Sequence, residues 1–205
     1  MTRSRIHNGS AFNDCCDPLV WKALRNGEID GLKILYNRYH SSLYLYAEKF
    51  CGSPDMAEDH VQNLFLRIWE KRNSLAEVTG VKTYLWTALR RSLITTLNKN
   101  QRENIYQEEV FDNLPDMNFN AEELLTQREL DDQNKDELMN AFGQLSKRQR
   151  EVIFLKFYEG MTYEEIEQIM QVSSQTSRNY VCEALKTLKF ILSGKAVKPR
   201  SKHTG

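Results

Sequence analysis

The sequence predicts an all-α fold, two small helical domains joined by an acidic flexible linker. Three observations carry this. Glycine (9) and proline (4) are scarce in the 205 residues, whereas a β-rich chain needs turn residues about every 8–12 positions. Apolar residues recur at helical spacing, most cleanly Val61, Leu64, Phe65, Ile68 and Trp69 at i, i+3, i+4, i+7 and i+8. Charge is segregated although the chain is neutral overall. Residues 1–100 hold 14 Lys/Arg against 10 Asp/Glu, residues 101–137 hold 3 against 12, and residues 138–205 hold 11 against 6, or +4, −9 and +5. Two mildly basic blocks therefore flank an acidic one, and the neutral total conceals surfaces suited to a polyanion.

The elements follow in order. Residues 1–16 read as a disordered tail and 17–100 as the first domain. Asp17-Pro18 supplies an N-cap and first-turn pair, and Leu19, Val20, Ala23 and Leu24 follow at helical spacing up to Asn26-Gly27. Asp30 caps the next helix, whose apolar face runs through Leu32, Leu35, Tyr36, Tyr39, Leu43, Tyr46, Ala47 and Phe50 until Cys51-Gly52-Ser53-Pro54 breaks it. The Val61–Trp69 stripe belongs to a helix over about 58–70, followed by a loop over 73–82 and a helix over 83–99. Residues 101–120 form the acidic linker: Asn and carboxylates dominate, Pro115 interrupts, and periodicity is lost.

The second domain spans 121–193, with helical periodicity resuming at Ala121, Leu124 and Leu125 and continuing through Leu138, Met139 and Phe142. Ser146 caps a helix whose Val152, Ile153, Leu155 and Phe157 suit burial and which Glu159-Gly160 ends. Thr162 with Glu165 three residues on forms a capping box. About three turn residues then lead to Ser173, the cap of the last helix. Val181, Ala184, Leu185 and Leu188 share one side of that helix, and 194–205 is a disordered basic tail.

Composition excludes several classes. No apolar run approaches the ~20 residues of a membrane span. The N-terminus, MTRSRIHNGSAFNDCCDP, has no apolar h-region, so the cytoplasm is the expected location. Cys15, Cys16, Cys51 and Cys182 form no C-x-x-C pair and do not cluster with the histidines, so no metal site and no disulfide framework is expected. The carboxylates concentrate in the linker and no Gly-rich phosphate loop exists, so no catalytic residues and no cofactor are assigned and the chain is not expected to be an enzyme.

Three faces remain. Ser174, Gln175, Thr176, Arg178, Asn179 and Lys186 line the polar side of the last helix, where hydroxyl, amide and guanidinium groups suit base edges and phosphates. Lys82, Arg90, Arg91, Lys99 and Arg102 interleave with Tyr84 and Trp86, with no acidic residue from Val78 to Gln101. Cations track phosphates and aromatics stack on unpaired bases, although either aromatic alone also suits a hydrophobic interior. Asp59, Gln62, Asn63 and Arg67 form a mixed-sign face on the 58–70 helix, poor for DNA and better for docking protein. Each face is also what a solvated amphipathic helix presents.

AEDHVQNLFLRIWEKRNSL resembles the region 2 signature of bacterial sigma factors, with Asp59, Gln62, Phe65 and Trp69 at the family's spacing, and LSKRQREVIFLKFYEGMTYEEI resembles the start of their region 4. The resemblance runs from about Pro18 to Leu192 with a gap at the linker, and the lack of a large middle domain points to the extracytoplasmic-function (ECF) group of the sigma-70 family. It implies an RNA polymerase sigma factor that directs promoter-specific initiation. Asp59, Gln62, Asn63 and Arg67 then bind core RNA polymerase. Lys82, Tyr84, Trp86, Arg90 and Arg91 hold the −10 DNA strand, with a flipped base entering the 73–82 loop. Ser174, Gln175, Thr176, Arg178, Asn179 and Lys186 address the −35 element. The partners implied are core polymerase and promoter DNA, and the resemblance admits an anti-sigma factor. The linker's charge resembles that of the nucleic acid whose path in the polymerase it would share.

The sequence departs from the family at Arg91 and Thr95, usually Asn and Asp; at Glu167, usually a small Ala; at Gln171, usually the turn Gly; and at Ser177, usually apolar. A charge at Glu167 is costly if buried alone, so the side chain is expected to turn outward or to pair. The alternatives are a helix-turn-helix regulator acting without polymerase, which leaves the 58–70 and 82–102 faces unexplained, and an all-helical adaptor, which predicts no salt-dependent DNA affinity.

Overall fold

The computed structural model describes residues 16–100 and 132–193, though not the side chains of 98–100, 132–136 and 139; the expectations for the 1–16 tail up to Cys15, the 101–120 linker, Ala121 to Leu125, the Lys99 and Met139 side chains, Arg102 and the basic tail after 193 lie outside what is described. The described residues are helical and contain no strand. The chain divides into two compact units, Met1–Asn104 and Ile105–Gly205.

The first unit contains α1 (Asp17–Arg25), α2 (Ile29–Cys51), α3 (Pro54–Glu70), a 3-10 turn (Arg72–Ser74) and α4 (Val81–Asn100). Helix α1 begins at Asp17, with Cys16 rather than Asp17 in the cap position. Asp17 instead accepts hydrogen bonds from Arg38 and Tyr39 of α2, which ties the start of α1 to the middle of α2. Burial, and the bond to Asp17, push the Tyr39 phenol well above its usual range. Likewise α2 starts at Ile29, placing Asp30 inside its first turn rather than at the cap. Gly52 ends α2 in the left-handed conformation at φ 69°. Ser53 then caps α3 by accepting the Met56 amide, with Pro54 in the first turn where its missing N–H costs nothing.

The interior of this unit is built from Val20, Trp21, Leu24, Leu35, Leu43, Tyr46, Phe50, Val61, Leu85, Trp86, Leu89 and Leu93, each no more than 1% exposed. Burying each large apolar side chain is worth about 1.5–3 kcal/mol. The α3 stripe is as the spacing predicts for Val61, Leu64, Phe65 and Ile68, all buried, while Trp69 at its end is half-buried beneath the Arg72 guanidinium, 4.3 Å from the ring centre.

The second unit contains α5 (Asp132–Gly143), α6 (Lys147–Ile153), a π-helical turn (Phe154–Tyr158), α7 (Tyr163–Met170) and α8 (Ser174–Leu192). Capping boxes start α6 (Ser146 with Gln149) and α7 (Thr162 with Glu165), and Ser173 caps α8 by accepting the Thr176 amide. Two expectations are corrected here. The helix after Ser146 widens into a π turn, which inserts an extra residue per turn and rotates Phe157 outward, leaving it 58% exposed. Leu185 lies at the edge of the α8 apolar side and is 45% exposed, while Val181, Ala184 and Leu188 are buried.

Candidate functional site

The polar face of α3 is where the sequence puts it. Asp59, Gln62, Asn63 and Arg67 are all exposed, and Gln62 donates to Glu58 one turn back at 2.7 Å. Leu66 projects from the same face and is 54% exposed. Sequence reasoning passed over it. The signal was its position, three residues after Asn63 and off the apolar stripe. A large apolar side chain ringed by polar groups on an exposed helix is the arrangement protein contacts use.

Beside this face His60 reaches across to α4, its Nδ1 2.9 Å from the Ser92 hydroxyl. Burial is the main force holding the His60 pKa below its ordinary value; Arg67 adds to it and Asp59 opposes it. Two cavities lie along the α3–α4 groove and share Arg67 and Ser92. One, about 180 Å³, is lined by Leu64, Arg67, Ile68, Lys71, Leu75, Tyr84, Ala88 and Ser92. The other, about 260 Å³, is bordered by Met56, Asp59, His60, Asn63, Arg67, Ser92 and Thr96.

Helix α4 divides the five residues assigned to the −10 strand. Lys82, Trp86 and Arg90 are spaced i, i+4 and i+8 and so fall along one line of the helix, and that line turns inward. Trp86 is 0% exposed and packs edge-on to Tyr39 at 5.7 Å, and Arg90 is 3% exposed. Both are interior side chains, which corrects their assignment as surface contacts. Lys82, nearer the helix start, is half-buried with its ammonium 5.3 Å from the Trp86 ring centre. Tyr84 is half-buried against Trp21 (5.0 Å, edge-on) and borders the smaller cavity, and Arg91 is exposed. The preceding loop is pinned by the Trp21 indole N–H, which donates to the Ala76 carbonyl at 3.0 Å.

In the second unit α7, the turn Gln171 to Ser173 and α8 form a helix-turn-helix. Gln175, Arg178, Asn179 and Lys186 are exposed on α8, and the Gln175 amide donates to Asn179 Oδ1 at 3.0 Å. Ser174 and Thr176 are half-buried, the Thr176 hydroxyl lying 2.8 Å from that of Ser173. The departures at 167 and 177 are accommodated locally, whereas Gln171 takes a turn conformation that strains a non-glycine residue. Ser177 is fully buried, and its hydroxyl donates to the Ser173 carbonyl at 3.3 Å, so no polar group is stranded. Gln171 holds the left-handed turn conformation at φ 58°, ψ 41°. Glu167 is exposed and accepts both the amide (3.0 Å) and the hydroxyl of Ser174. Arg178 pairs with Glu164 at 3.6 Å and lies 4.9 Å from the Tyr163 ring centre, an aromatic that Lys156 approaches at 4.7 Å.

Family comparison matches both units. The family model described as Sigma-70 region 2 matches residues 35–103, and that described as Sigma-70, region 4 matches residues 135–188. The chain belongs to the sigma-70 family, in its extracytoplasmic-function group. The two matches span 69 and 54 residues, 123 of the 205. An ECF RNA polymerase sigma factor, SigK, from Mycobacterium sp. (strain JLS) is 25% identical over 170 residues, covering 80% of this chain and 84% of SigK. SigX of Bacillus subtilis (strain 168) is 26% identical over 161 residues, covering 77% and 81%. Among solved structures, the sigma factor RpoE of Bartonella quintana, in complex with the anti-sigma factor NepR, is similar with a TM-score of 0.51 at 25% identity, over 85% of this chain and 92% of RpoE. As a member of this family the protein is a regulatory subunit that joins core RNA polymerase and promoter DNA for transcription initiation. Among the described residues no helix is long and apolar enough to cross a membrane, and no three His, Cys, Asp or Glu side chains are grouped to hold a metal.

Proposed function

We propose that the sigma-factor work is divided among three faces of this chain. The exposed face of α3, Asp59, Gln62, Asn63, Leu66 and Arg67, docks on core RNA polymerase. Its mixed charge would be neutral toward DNA, and Leu66 at its centre supplies the apolar anchor that polar contacts surround. Lys82, Tyr84 and Arg91 meet the opened −10 strand, and a base flipped from the promoter enters the cavity that Tyr84, Leu75 and Arg67 border. Trp86 and Arg90 support α4 from inside. The exposed row Gln175, Arg178, Asn179 and Lys186 addresses the −35 element, with Ser174 and Thr176 at the head of the helix.

The observation that carries this reading is the segregation of α3. One side is apolar and buried from Ala57 to Ile68, with Trp69 half-buried at its end, and the other is polar, exposed and punctuated by a single leucine. The chain performs no covalent chemistry of its own in this scheme, and it works in the cytoplasm where the polymerase is. RpoE of Bartonella quintana is paired with the anti-sigma factor NepR, and the likeness supports a partner of that class here.

The test is co-purification with bacterial core polymerase. Asp59→Ala combined with Gln62→Ala is expected to reduce the recovered complex strongly, while the tryptophan fluorescence of the first unit stays native. Unchanged recovery would remove α3 as the docking face.

A further inference from the structure

The hydrogen bonds at the head of α8 tie it to the motif itself. The Glu167 carboxylate reaches over from α7 and accepts the amide and the hydroxyl of Ser174, the first residue of α8. Ser173 takes the Thr176 amide at 3.1 Å. A formal negative charge therefore sits at the positive end of a 19-residue helix, a place well suited to a phosphate. The motif around it is acidic. Over the whole motif, residues 163–192, Glu164, Glu165, Glu167 and Glu183 stand against Arg178, Lys186 and Lys189, a net of −1, and Arg178 is the single cation in its first twenty residues. That cation is itself paired with Glu164. DNA-binding elements ordinarily draw much of their affinity from cations and helix N-termini on phosphates, which carry no sequence information.

We infer that Glu167 is a specificity-determining residue of the −35 contact. Its carboxylate holds the first residue of α8 and disfavours a DNA phosphate there, so that binding depends on the base-edge groups of Gln175, Arg178 and Asn179. The inference rests on the reading of α8 as the −35 helix. Glu167 acts through Ser174, as a positioning residue, and through its charge. Glu164, with Tyr163, orients the Arg178 guanidinium in the same manner. The motif trades non-specific affinity for discrimination, and the shortfall is met by the polymerase contacts of the first unit, which raise the effective concentration of α8 at its site.

The test uses the full-length chain assembled with core polymerase. The wild-type holoenzyme first selects a sequence from promoter DNA randomised over the −35 region. Binding to that DNA and to a copy with the −35 scrambled is then measured over a salt series. Glu167→Gln keeps an oxygen to accept from Ser174 and removes the charge. Both DNAs are expected to bind tighter, the scrambled one gaining more, so that the selected-to-scrambled ratio falls severalfold. The slope of log affinity against log salt should steepen by about one, the signature of one added phosphate contact. Glu167→Ala also releases Ser174 and is expected to broaden the selected motif. A Gln variant with unchanged slope and ratio overturns the inference. So does one that weakens both DNAs equally at constant slope, as a purely structural cap would. If the wild-type holoenzyme binds core polymerase but selects no sequence, the −35 reading of α8 falls and the inference falls with it.

Discussion

Gly31→Ala separates helix propensity from tertiary packing. Gly31 lies in the first turn of α2, and propensity alone says that alanine should stabilise a helix there by about 1 kcal/mol. The structure reverses the sign. A Cβ on residue 31 would sit 2.8 Å from the Leu24 amide nitrogen, 2.9 Å from the Val20 carbonyl oxygen and 3.2 Å from the Leu24 Cα, all of them backbone atoms of α1. Ordinary contacts lie near 3.5–4.0 Å, and a backbone cannot rotate aside as a side chain can. To admit the methyl group, α1 must retreat from α2. That loosens Val20, Trp21 and Leu24, which are at most 1% exposed. Overpacking of this kind costs about 1–3 kcal/mol, here toward the upper end. Less the propensity gain, a net loss of about 1–2 kcal/mol is expected, or a melting temperature lower by roughly 5–15 °C for a domain of this size. The assay is urea denaturation followed by tryptophan fluorescence. Trp21, Trp69 and Trp86 are the chain's three tryptophans and all belong to the first unit, so the signal reports that unit alone. A midpoint equal to or above wild type would refute the close approach of α1 and α2.

Three further outcomes are expected. Gln171→Gly should slow amide exchange in α7 and α8, stabilising the second unit by about 0.5–1 kcal/mol, because the left-handed turn strains glutamine and not glycine, less the extra freedom glycine has when unfolded. Unaltered exchange would show that no strain is held there. Trp86→Ala should cost about 3–5 kcal/mol by urea denaturation, as an interior truncation does; native stability with impaired promoter opening would return Trp86 to the DNA surface. The depressed His60 pKa sets a pH dependence: the unfolded chain takes up a proton near pH 6.5, whereas the folded histidine resists it. The stability of the first unit is therefore full above that value and falls as the pH drops through it. His60→Gln should flatten the pH 7.5 to 5.5 change in urea midpoint, and a mutant with the wild-type pH profile would contradict the assignment.

Much of this protein was legible in its letters. The α3 stripe, the capping residues Ser146, Thr162 and Ser173, and the break at Gly52 are local patterns, in which the groups that satisfy one another lie within a few residues. The exposed polar face of α3 was legible too, since it is what the buried stripe leaves over. Helix α4 was harder, because its sequence carries cations on an inward-facing line as well as an outward one. Periodicity describes which residues share a side of a helix, not which side meets the interior. Leu66 and Phe157 show the same limit from the apolar direction.

Local covalent and hydrogen-bonding preferences, expressed over one or two helical turns, were enough to determine an all-α chain, the order of its elements and the caps at Ser146, Thr162 and Ser173. Tertiary packing alone decided that Trp86 and Arg90 turn inward, that His60 meets Ser92, that Leu75 and Tyr84 border one cavity, and that Glu167 closes on the head of α8. Those contacts join residues on different elements, and their energies depend on how helices rotate and approach. No window of sequence contains that information, since it arises only when all the apolar faces must be buried at once.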